Sequence, residues 1–220
     1  MQTKNIYIIG NGDEAKITAD LIEDNDEMKL CGNFEVFNSN IDYISTDGNL
    51  HKNIDFNHFA NNQNYFCIAI GYNYDRFKVY EILKKFQKIK WISIISDTAK
   101  IRAGVIIGNG CIVHDNVYIN RRTVLGNHCI INNNTSIDHD CKLSDFSSTG
   151  PAVVTGGRIN LGKLSYVGMN SVVLQNINIG QSTVIGAKSL VNKDCQSNSL
   201  YFGITSKFIK KLPNDFNYFK

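Results

Sequence analysis

A branched aliphatic residue returns at every sixth position through the second half of the chain. Seventeen such slots run from 95 to 191, and Ile, Leu or Val fills fifteen of them. The position four residues after each slot always holds a small or β-branched residue. A period of six matches neither an α-helix nor a long alternating strand, whose periods are about 3.6 and 2. The pattern therefore predicts very short strands separated by turns, with the aliphatic side chains pointing inward.

Three such sides would close a triangular coil of about 18 residues, so that residue n lies beside residue n+18 on the next coil. Seventeen units make between five and six coils, and each coil buries its aliphatic residues only against its neighbours. The residue after the aliphatic slot is often Gly or Asn, as at Gly108, Gly126 and Asn132. We expect that residue to adopt the strained turn conformation. An ordinary β-sandwich is disfavoured, because it would need irregular strand spacing and longer turns.

The first ninety residues lack this period and alternate between strand and helix patterns. Strands are predicted over 5–9, 29–36 and 65–70, with helices beginning near 15 and covering about 75–86. This order predicts a small parallel sheet with helices. The pair Gly10-x-Gly12 follows the first strand, where a helix N-terminus can approach a phosphate. The segment has room for about one βαβ unit, which favours a nucleotide or nucleotide-sugar over a dinucleotide.

Composition and charge narrow the possible functions. Lys and Arg total 23 against 20 Asp and Glu, a net charge of +3, without the basic block of a nucleic-acid groove. No apolar run reaches the roughly 18 residues of a membrane span, and none resembles a signal peptide. We therefore expect a cytoplasmic protein without membrane insertion. The six cysteines show no C-x-x-C spacing, and four of them share one slot of the repeat, which predicts core-filling thiols.

Candidate chemistry concentrates at the turn Asp138-His139-Asp140. The n+18 rule places Gly157, preceded by Gly156, opposite His139 on the next coil. Two glycines would leave a slot without side chains and expose backbone N–H groups. Acyl transfer from a thioester needs such a slot, a base, and donors for the developing oxyanion. On local sequence alone the alternative is a solvated turn histidine.

The chain resembles the bacterial sugar O/N-acyltransferases of the hexapeptide-repeat class. That family includes sialic acid O-acetyltransferases and the N-acetyltransferases of nucleotide-linked 4-amino sugars, as in bacillosamine, perosamine and viosamine pathways. The resemblance rests on Asn132, Ile137-Asp138-His139-Asp140-Cys141, Asp145-Phe146, Pro151 and Gly156-Gly157, and in the first domain on Ile8-Ile9-Gly10-x-Gly12, Gly32-x-Phe34-Glu35 and Ala69-Ile70-Gly71-x-Asn73-x-x-Arg76. Ser148 stands where many relatives carry a second histidine.

The resemblance implies a Rossmann-like α/β domain that binds a nucleotide-sugar over 1–92, a left-handed parallel β-helix over 93–197 and a C-terminal tail over 198–220. It implies a homotrimer with active sites between subunits, acetyl-CoA as co-substrate and no metal. His139 would be the general base, oriented by Asp140, with Asn132 and Gly157 positioning the acetyl group or oxyanion. The implied binding residues are Gly156, Gly157, Ala187 and Lys207 for acetyl-CoA, and Gly10, Gly12, Glu35, Gly71 and Asn73 for the nucleotide-sugar.

The predicted activity is N-acetylation of the 4-amino group of a UDP- or dTDP-linked 4-amino-4,6-dideoxy sugar in surface glycan biosynthesis. The alternative enzyme is a sialic acid O-acetyltransferase. A γ-type carbonic anhydrase would need three histidines converging on zinc, and the spacing of His114, His128 and His139 does not favour this. A non-catalytic β-helix scaffold is the remaining alternative.

Overall fold

The first domain is a mixed five-stranded sheet with two helices. The computed structural model describes residues 3–37, 40–61, 63–213, 215–216 and 218. The elements of the first domain are β1 (Lys4–Ile9), α1 (Asp13–Glu23), β2 (Met28–Phe37), β3 (Asn40–Ser45), β4 (Leu50–His51), a 3₁₀ turn (Phe56–His58), β5 (Asn64–Ile68) and α2 (Asn73–Leu83). The strand order is β4-β3-β2-β1-β5. β1 lies parallel to β2 and β5 as predicted, whereas β3 and β4 add an antiparallel hairpin that the sequence patterns did not indicate.

The second domain is a parallel β-helix. In the described part of the chain it has seventeen two-residue strands, and each ends on one of the predicted slots. They are β6 (Ile94–Ile95), β7 (Lys100–Ile101), β8 (Ile106–Ile107), β9 (Ile112–Val113), β10 (Tyr118–Ile119), β11 (Val124–Leu125), β12 (Ile130–Ile131), β13 (Ser136–Ile137), β14 (Lys142–Leu143), β15 (Ser148–Thr149), β16 (Val154–Thr155), β17 (Asn160–Leu161), β18 (Tyr166–Val167), β19 (Val172–Val173), β20 (Asn178–Ile179), β21 (Val184–Ile185) and β22 (Leu190–Val191).

Every third strand joins the same sheet, which gives the β-helix three faces. Ile119 pairs with Ile101 on the preceding coil and with Ile137 on the next, so the n+18 prediction is confirmed. The predicted fold class, an α/β domain followed by this β-helix, is confirmed as well. The strands β23 (Ser199–Phe202) and β24 (Lys207–Lys211) follow the last coil, and β23 extends the sheet that begins with β6.

The turns lie in three columns, two of which matter for the site. The His139 corner follows β7, β10, β13, β16, β19 and β22, and comprises 102–105, 120–123, 138–141, 156–159, 174–177 and 192–195. The Asn132 corner follows β6, β9, β12, β15, β18 and β21, and comprises 96–99, 114–117, 132–135, 150–153, 168–171 and 186–189.

The expectation about the turn glycines was wrong. The left-handed conformation occurs three residues after the aliphatic slot, for example at His128, Asp140 and Phe146, whose φ angles are 55°, 57° and 58°. The glycines directly after the slot are needed for space. A Cβ on Gly156 would lie 2.7 Å from the backbone nitrogen of Gln175 on the next coil. Close approach of neighbouring coils, not backbone conformation, therefore selects glycine there.

The two domains share one hydrophobic core. Ala15 and Ile22 of α1 are fully buried and cluster with Ile94, Ile112 and Ile130. These three isoleucines are the outward-facing first residues of β6, β9 and β12, so one face of the β-helix is apolar where α1 covers it. Burial of apolar surface at about 25 cal/mol per Å² makes this contact a stabilising junction.

His128 lies in an aromatic cluster at the same junction. Its ring stacks on Phe146 with centroids 5.0 Å apart and contacts Tyr80 and Trp91. The Nδ1 atom is buried without a hydrogen-bond partner among the described residues. Burial, followed by the nearby Arg76 charge, lowers the pKa of His128 from 6.5 to about 3. The folded chain therefore holds this imidazole neutral.

We expect His128→Phe to make the protein more resistant to mild acid. Between pH 6.5 and about 3, His128 binds a proton in the unfolded chain and not in the folded one, so stability falls as pH is lowered. The free energy of unfolding of the variant minus that of the wild type should therefore increase by about 2 kcal/mol between pH 6.5 and about 4.5. Phe is a suitable replacement because Phe146 occupies the matching position one coil later with the same left-handed backbone. Urea unfolding across this pH range measures the effect, and parallel curves would contradict it.

Candidate active site

Side chains of the preceding coil hold the turn that carries His139. The carboxylate of Asp138 accepts a hydrogen bond from the backbone N–H of His139 at 2.7 Å. It accepts a second from Nδ2 of Asn120 at 2.8 Å. The Asn120 bond is the main cause of a lowered pKa at Asp138, with the His139 N–H adding to it. An ionised Asp138 therefore fixes the backbone in front of the histidine.

A chain of charged groups orients the imidazole. Nδ1 of His139 lies 2.6 Å from Oδ2 of Asp140, and Arg122 holds the same carboxylate through Nε at 2.5 Å and Nη2 at 2.9 Å. The hydrogen bond from Arg122, with that from His139 second, keeps the pKa of Asp140 well below its usual range. Because Asp140 is ionised, the neutral ring carries its proton on Nδ1. This leaves Nε2 as an acceptor on a side chain that is one-third exposed.

The imidazole lies over Gly157, as the n+18 rule predicts. A Cβ on Gly157 would lie 2.7 Å from Cε1 and 2.8 Å from Nε2 of His139, so the ring fills the space that glycine leaves. At the matching turn position, the N–H groups of Asn127, Asn133 and His139 each donate to a side-chain oxygen. The Gly157 N–H has no acceptor among the described residues, because Gly156 offers no side chain. Gly156 itself donates to the carbonyl of Val173 at 2.8 Å, so of the two glycines only Gly157, which is buried, has an N–H without a partner among the described residues.

The two glycines should respond differently to alanine. Gly157→Ala displaces only the flexible imidazole, so we expect a native melting temperature with kcat lowered at least tenfold, since a displaced base loses its geometry. Gly156→Ala forces a Cβ against backbone of the next coil and should lower stability by about 1–3 kcal/mol. Thermal melts and steady-state kinetics on both variants measure this. If the two variants lost activity and stability to the same extent, this prediction would be wrong.

The predicted acetyl-group and acetyl-CoA residues lie on different parts of the β-helix. His139, Gly156 and Gly157 lie on the His139 corner, whereas Asn132 and Ala187 lie on the Asn132 corner. The Asn132 side chain accepts a hydrogen bond from the N–H of Asn133 at 2.9 Å. Ala187 is exposed at its turn. Within one chain these two residues do not join the His139 site.

Lys207 lies in β24, beyond the last coil. It is exposed, and its backbone pairs with Phe202 of β23. No described residue forms an ion pair with its ammonium group. Its predicted contact with acetyl-CoA stays a prediction.

Three of the predicted nucleotide-sugar residues meet at the carboxyl ends of β1 and β2. Gly10 has a φ of +134°, and a Cβ there would lie 2.5 Å from the carbonyl oxygen of Ala69, so this glycine serves close strand packing. Gly12 precedes α1 and has open space around it. Glu35 accepts a hydrogen bond from Nδ2 of Asn11 at 2.9 Å. The carboxyl edge of a parallel sheet is where such folds bind ligands.

The other two predicted nucleotide-sugar residues follow β5 and contribute to the domain junction. The carbonyl of Gly71 accepts hydrogen bonds from Arg76 and from Tyr218. Asn73 is 1% exposed, and its side chain bonds the carbonyls of Leu164 and Ser165 and the side chains of Arg76 and Ser148. Its polar atoms are thus already paired between the domains, and its predicted contact with a sugar nucleotide stays a prediction. The same network occupies Ser148, the residue that replaces a second histidine.

The three histidines of the disfavoured zinc hypothesis lie apart. His114 lies on the Asn132 corner, where Nε2 is 2.9 Å from Oε1 of Glu14, and His128 lies in the aromatic cluster. The described residues hold no group of three or more His, Cys, Asp or Glu side chains placed to bind a metal ion. They also include no helix long and apolar enough to span a membrane.

Comparison with known proteins supports this picture. Residues 5–83 match the family model of the PglD N-terminal domain. The GDP-perosamine N-acetyltransferase from Caulobacter crescentus, solved with CoA and GDP-perosamine, superimposes with a TM-score of 0.82 at 22% identity over 94% of this chain and 97% of that one. This chain has the same two-domain fold as that enzyme. The predicted family resemblance is confirmed.

Two further solved structures share this fold. The acetyltransferase domain of PglB from Neisseria gonorrhoeae, solved with acetyl coenzyme A, has a TM-score of 0.78 at 21% identity, covering 94% of this chain and all 100% of that one. WeeI from Acinetobacter baumannii has a TM-score of 0.69 at 16% identity with the same coverage. No curated protein matches the chain. The matches extend over both domains, so the relatives share the two-domain arrangement.

Sequence reasoning missed the residue that joins the domains. Arg76 is fully buried and connects α2 to the β-helix through the carbonyls of His128 and Phe146. The sequence signal that could have identified Arg76 is its place in the stretch Gly71-x-Asn73-x-x-Arg76, where Asn73 and Arg76 lie one helical turn apart. Arg122 was missed too, although it lies exactly 18 residues before Asp140, and the n+18 rule would have paired them.

Proposed function

We propose that the protein is an acetyl-CoA-dependent N-acetyltransferase that modifies the 4-amino group of a nucleotide-linked 4-amino-4,6-dideoxy sugar. The observation that carries this proposal is the Arg122–Asp140–His139 chain, which ends at a ring nitrogen beside the unpaired N–H of Gly157. A base next to an oxyanion donor is what transfer from a thioester requires. The similar structures bind CoA or acetyl coenzyme A, and one of them binds GDP-perosamine.

The reaction is a direct transfer within a ternary complex. The sugar amine attacks the thioester carbonyl and forms the C–N bond while Nε2 of His139 takes its proton. The carbonyl oxygen becomes an oxyanion that accepts a hydrogen bond from the N–H of Gly157. The C–S bond then breaks, and the CoA thiolate leaves and receives the proton from the imidazolium. Asp140 stabilises the charged ring throughout, in the way the aspartate of a Ser-His-Asp triad does.

The first domain holds the nucleotide in this proposal. Gly12 and Glu35 supply open backbone and a carboxylate at the carboxyl edge of the sheet, beside the N-terminus of α1. Such an N-terminus favours phosphate groups. The Glu14 carboxylate lies against the β-helix instead, with Oε1 2.9 Å from Nε2 of His114.

A thiol-release assay with acetyl-CoA tests the activity. The acceptor panel contains UDP-, dTDP- and GDP-linked 4-amino-4,6-dideoxyhexoses, with sialic acid as the arm for O-acetylation. We expect CoA release with at least one nucleotide-linked amine and an N-acetyl product by mass spectrometry. Release with sialic acid alone would replace the proposal with O-acetylation. No release with any acceptor, together with no acetyl-CoA binding by calorimetry, would favour a scaffold.

We also propose a homotrimer whose sites form between subunits. The support is that Asn132 and Ala187 lie on one corner of the β-helix while His139 lies on another. Cyclic packing of three prisms can bring one corner of each protomer to a different corner of its neighbour. The trimer itself is checked by light scattering of the purified protein.

Subunit complementation tests the shared site. His139→Ala and Asn132→Ala should each be weakly active alone. Co-expressed in equal amounts, they should regain about a quarter of wild-type activity, because one site in four then combines an intact His139 with an intact Asn132. The matched control co-expresses His139→Ala with Asp140→Ala, which lie on the same turn and should not complement. A mixture of the first pair that forms trimers yet stays inactive would contradict the shared site.

A further inference from the structure

Two arginines lie beside His139 on the side of the ring opposite Gly157. Arg121 is the n−18 neighbour of His139, and its carbonyl accepts a hydrogen bond from the N–H of Asp140 at 3.1 Å. Arg102 lies on the coil before that, at the same corner. Neighbouring coils are about 5 Å apart, the spacing of strands in a sheet. Both guanidinium groups can therefore reach a molecule that contacts the imidazole.

An open groove of about 690 Å³ runs along these two coils. Its lining residues are Arg102, Ala103, Tyr118, Asn120, Arg121 and Arg122. Ala103 lies one coil before Arg121 in the same column, so a small side chain leaves room beneath that arginine. The groove thus lies at the His139 corner and leads away from Gly157.

Two of the three arginines that line this groove have no anionic partner among the described residues. Arg122 is committed to Asp140, but the described residues give the Arg121 guanidinium neither an ion pair nor a hydrogen bond. Arg102 donates only Nε, to the hydroxyl of Tyr118 at 3.2 Å. The nearby carboxylates are already engaged, Asp138 by Asn120 and Asp140 by Arg122 and His139. The guanidinium groups of Arg102 and Arg121 therefore line the groove with N–H donors that have no acceptor among the described residues.

We infer that Arg102 and Arg121 bind an oxyanion group of the acceptor, a carboxylate or a phosphate, and so select acceptors that carry one near the reacting nitrogen or oxygen. This inference rests on the proposed function. With the thioester on the Gly157 side of the ring, the groove is the remaining approach for the acceptor. A guanidinium group donates paired hydrogen bonds to two oxygens of a carboxylate or phosphate. A neutral sugar has no such pair of charged acceptor oxygens.

Steady-state kinetics with Arg121→Gln, Arg102→Gln and the double variant test the inference. We expect KM for the anionic acceptor to rise about 10- to 100-fold in the double variant, since it loses charge-assisted hydrogen bonds, while KM for acetyl-CoA stays within twofold. Arg121→Lys should recover part of the loss, because it restores the charge without the fork. Arg158→Gln is the matched control: it removes an exposed arginine from the opposite side of His139 and should leave the acceptor KM unchanged.

Kinetics with three different acceptors identify which anionic group the two arginines bind. A nucleotide-linked amino sugar supplies phosphate, sialic acid supplies a carboxylate, and the free amino sugar supplies neither. A KM effect confined to one anionic acceptor assigns the group, and the free sugar should show no effect of substitution. A raised KM for acetyl-CoA instead, or equal KM values for wild type and double variant, would overturn the inference. Wild-type turnover with a nucleotide-linked amino sugar leaves the proposed function standing in either case, whereas the absence of turnover with every such acceptor counts against that function.

Discussion

Replacing His139 with Ala should lower kcat by about 10²–10⁴, the usual contribution of a positioned general base. Nε2 is the free nitrogen of a ring whose other nitrogen is held by Asp140 at 2.6 Å. The three atoms nearest to a Cβ built on Gly157 all belong to this ring, which is therefore the group placed there to take the proton from the attacking amine. The substitution removes a partly exposed side chain at a turn, so the fold should be unaffected. Thiol release at saturating concentrations of both substrates measures the effect.

Two comparisons make the His139 result specific. Acetyl-CoA binding by calorimetry should be retained in His139→Ala, which separates loss of chemistry from loss of the binding surface. Asp140→Asn keeps the size of the orienting side chain but removes its charge, so it should lower kcat less than His139→Ala and leave acetyl-CoA binding intact. Near-full turnover of His139→Ala at saturation would remove the assigned base and, with it, the proposed mechanism.

The β-helix was predictable because its geometry repeats. One aliphatic position every six residues fixes the strand ends, and the n+18 rule then fixes which residues stack, as Ile101, Ile119 and Ile137 illustrate. The same rule correctly placed Gly157 against His139. The n+18 rule does not explain why glycine occurs at the turns. A positive φ and a close neighbouring backbone both favour glycine, and a single sequence cannot separate the two reasons.

The domain junction was not predictable because its contacts are irregular. Asn73 and Arg76 look like ordinary polar residues at the start of a helix, and the partners that bury them are some 50 to 90 residues away in the sequence. No periodicity relates those positions. The hairpin of β3 and β4 was missed for a related reason, since neither strand shows a clear alternation of buried and exposed residues. The placement of Asn132 away from His139, by contrast, follows from the repeat, because the two residues come after consecutive slots and consecutive slots end different sides of the coil.

Replacing Arg76 with Met should destabilise the protein by about 3–5 kcal/mol, because it removes the shared donor of a buried hydrogen-bond network. The guanidinium is fully buried and donates to the carbonyls of Ile70, Gly71, His128 and Phe146 and to the side chains of Asn73 and Ser148. Met keeps an unbranched apolar stem but leaves these acceptors unpaired, each at a cost of about 1–3 kcal/mol before relaxation.

The loss should appear first as separation of the two domains, because the bonds to His128, Phe146 and Ser148 cross their junction. Trp91, the single tryptophan of the chain, lies 5.0 Å from the His128 ring, centroid to centroid, and so reports on that junction by fluorescence. In Arg76→Met we expect its urea transition to shift to lower concentration and to precede the loss of far-UV circular dichroism. Arg158→Met, which removes an exposed arginine, is the matched control and should change stability by less than about 0.5 kcal/mol. Coincident, unshifted transitions in Arg76→Met would mean that the apolar contact of α1 with the β-helix suffices to hold the domains together.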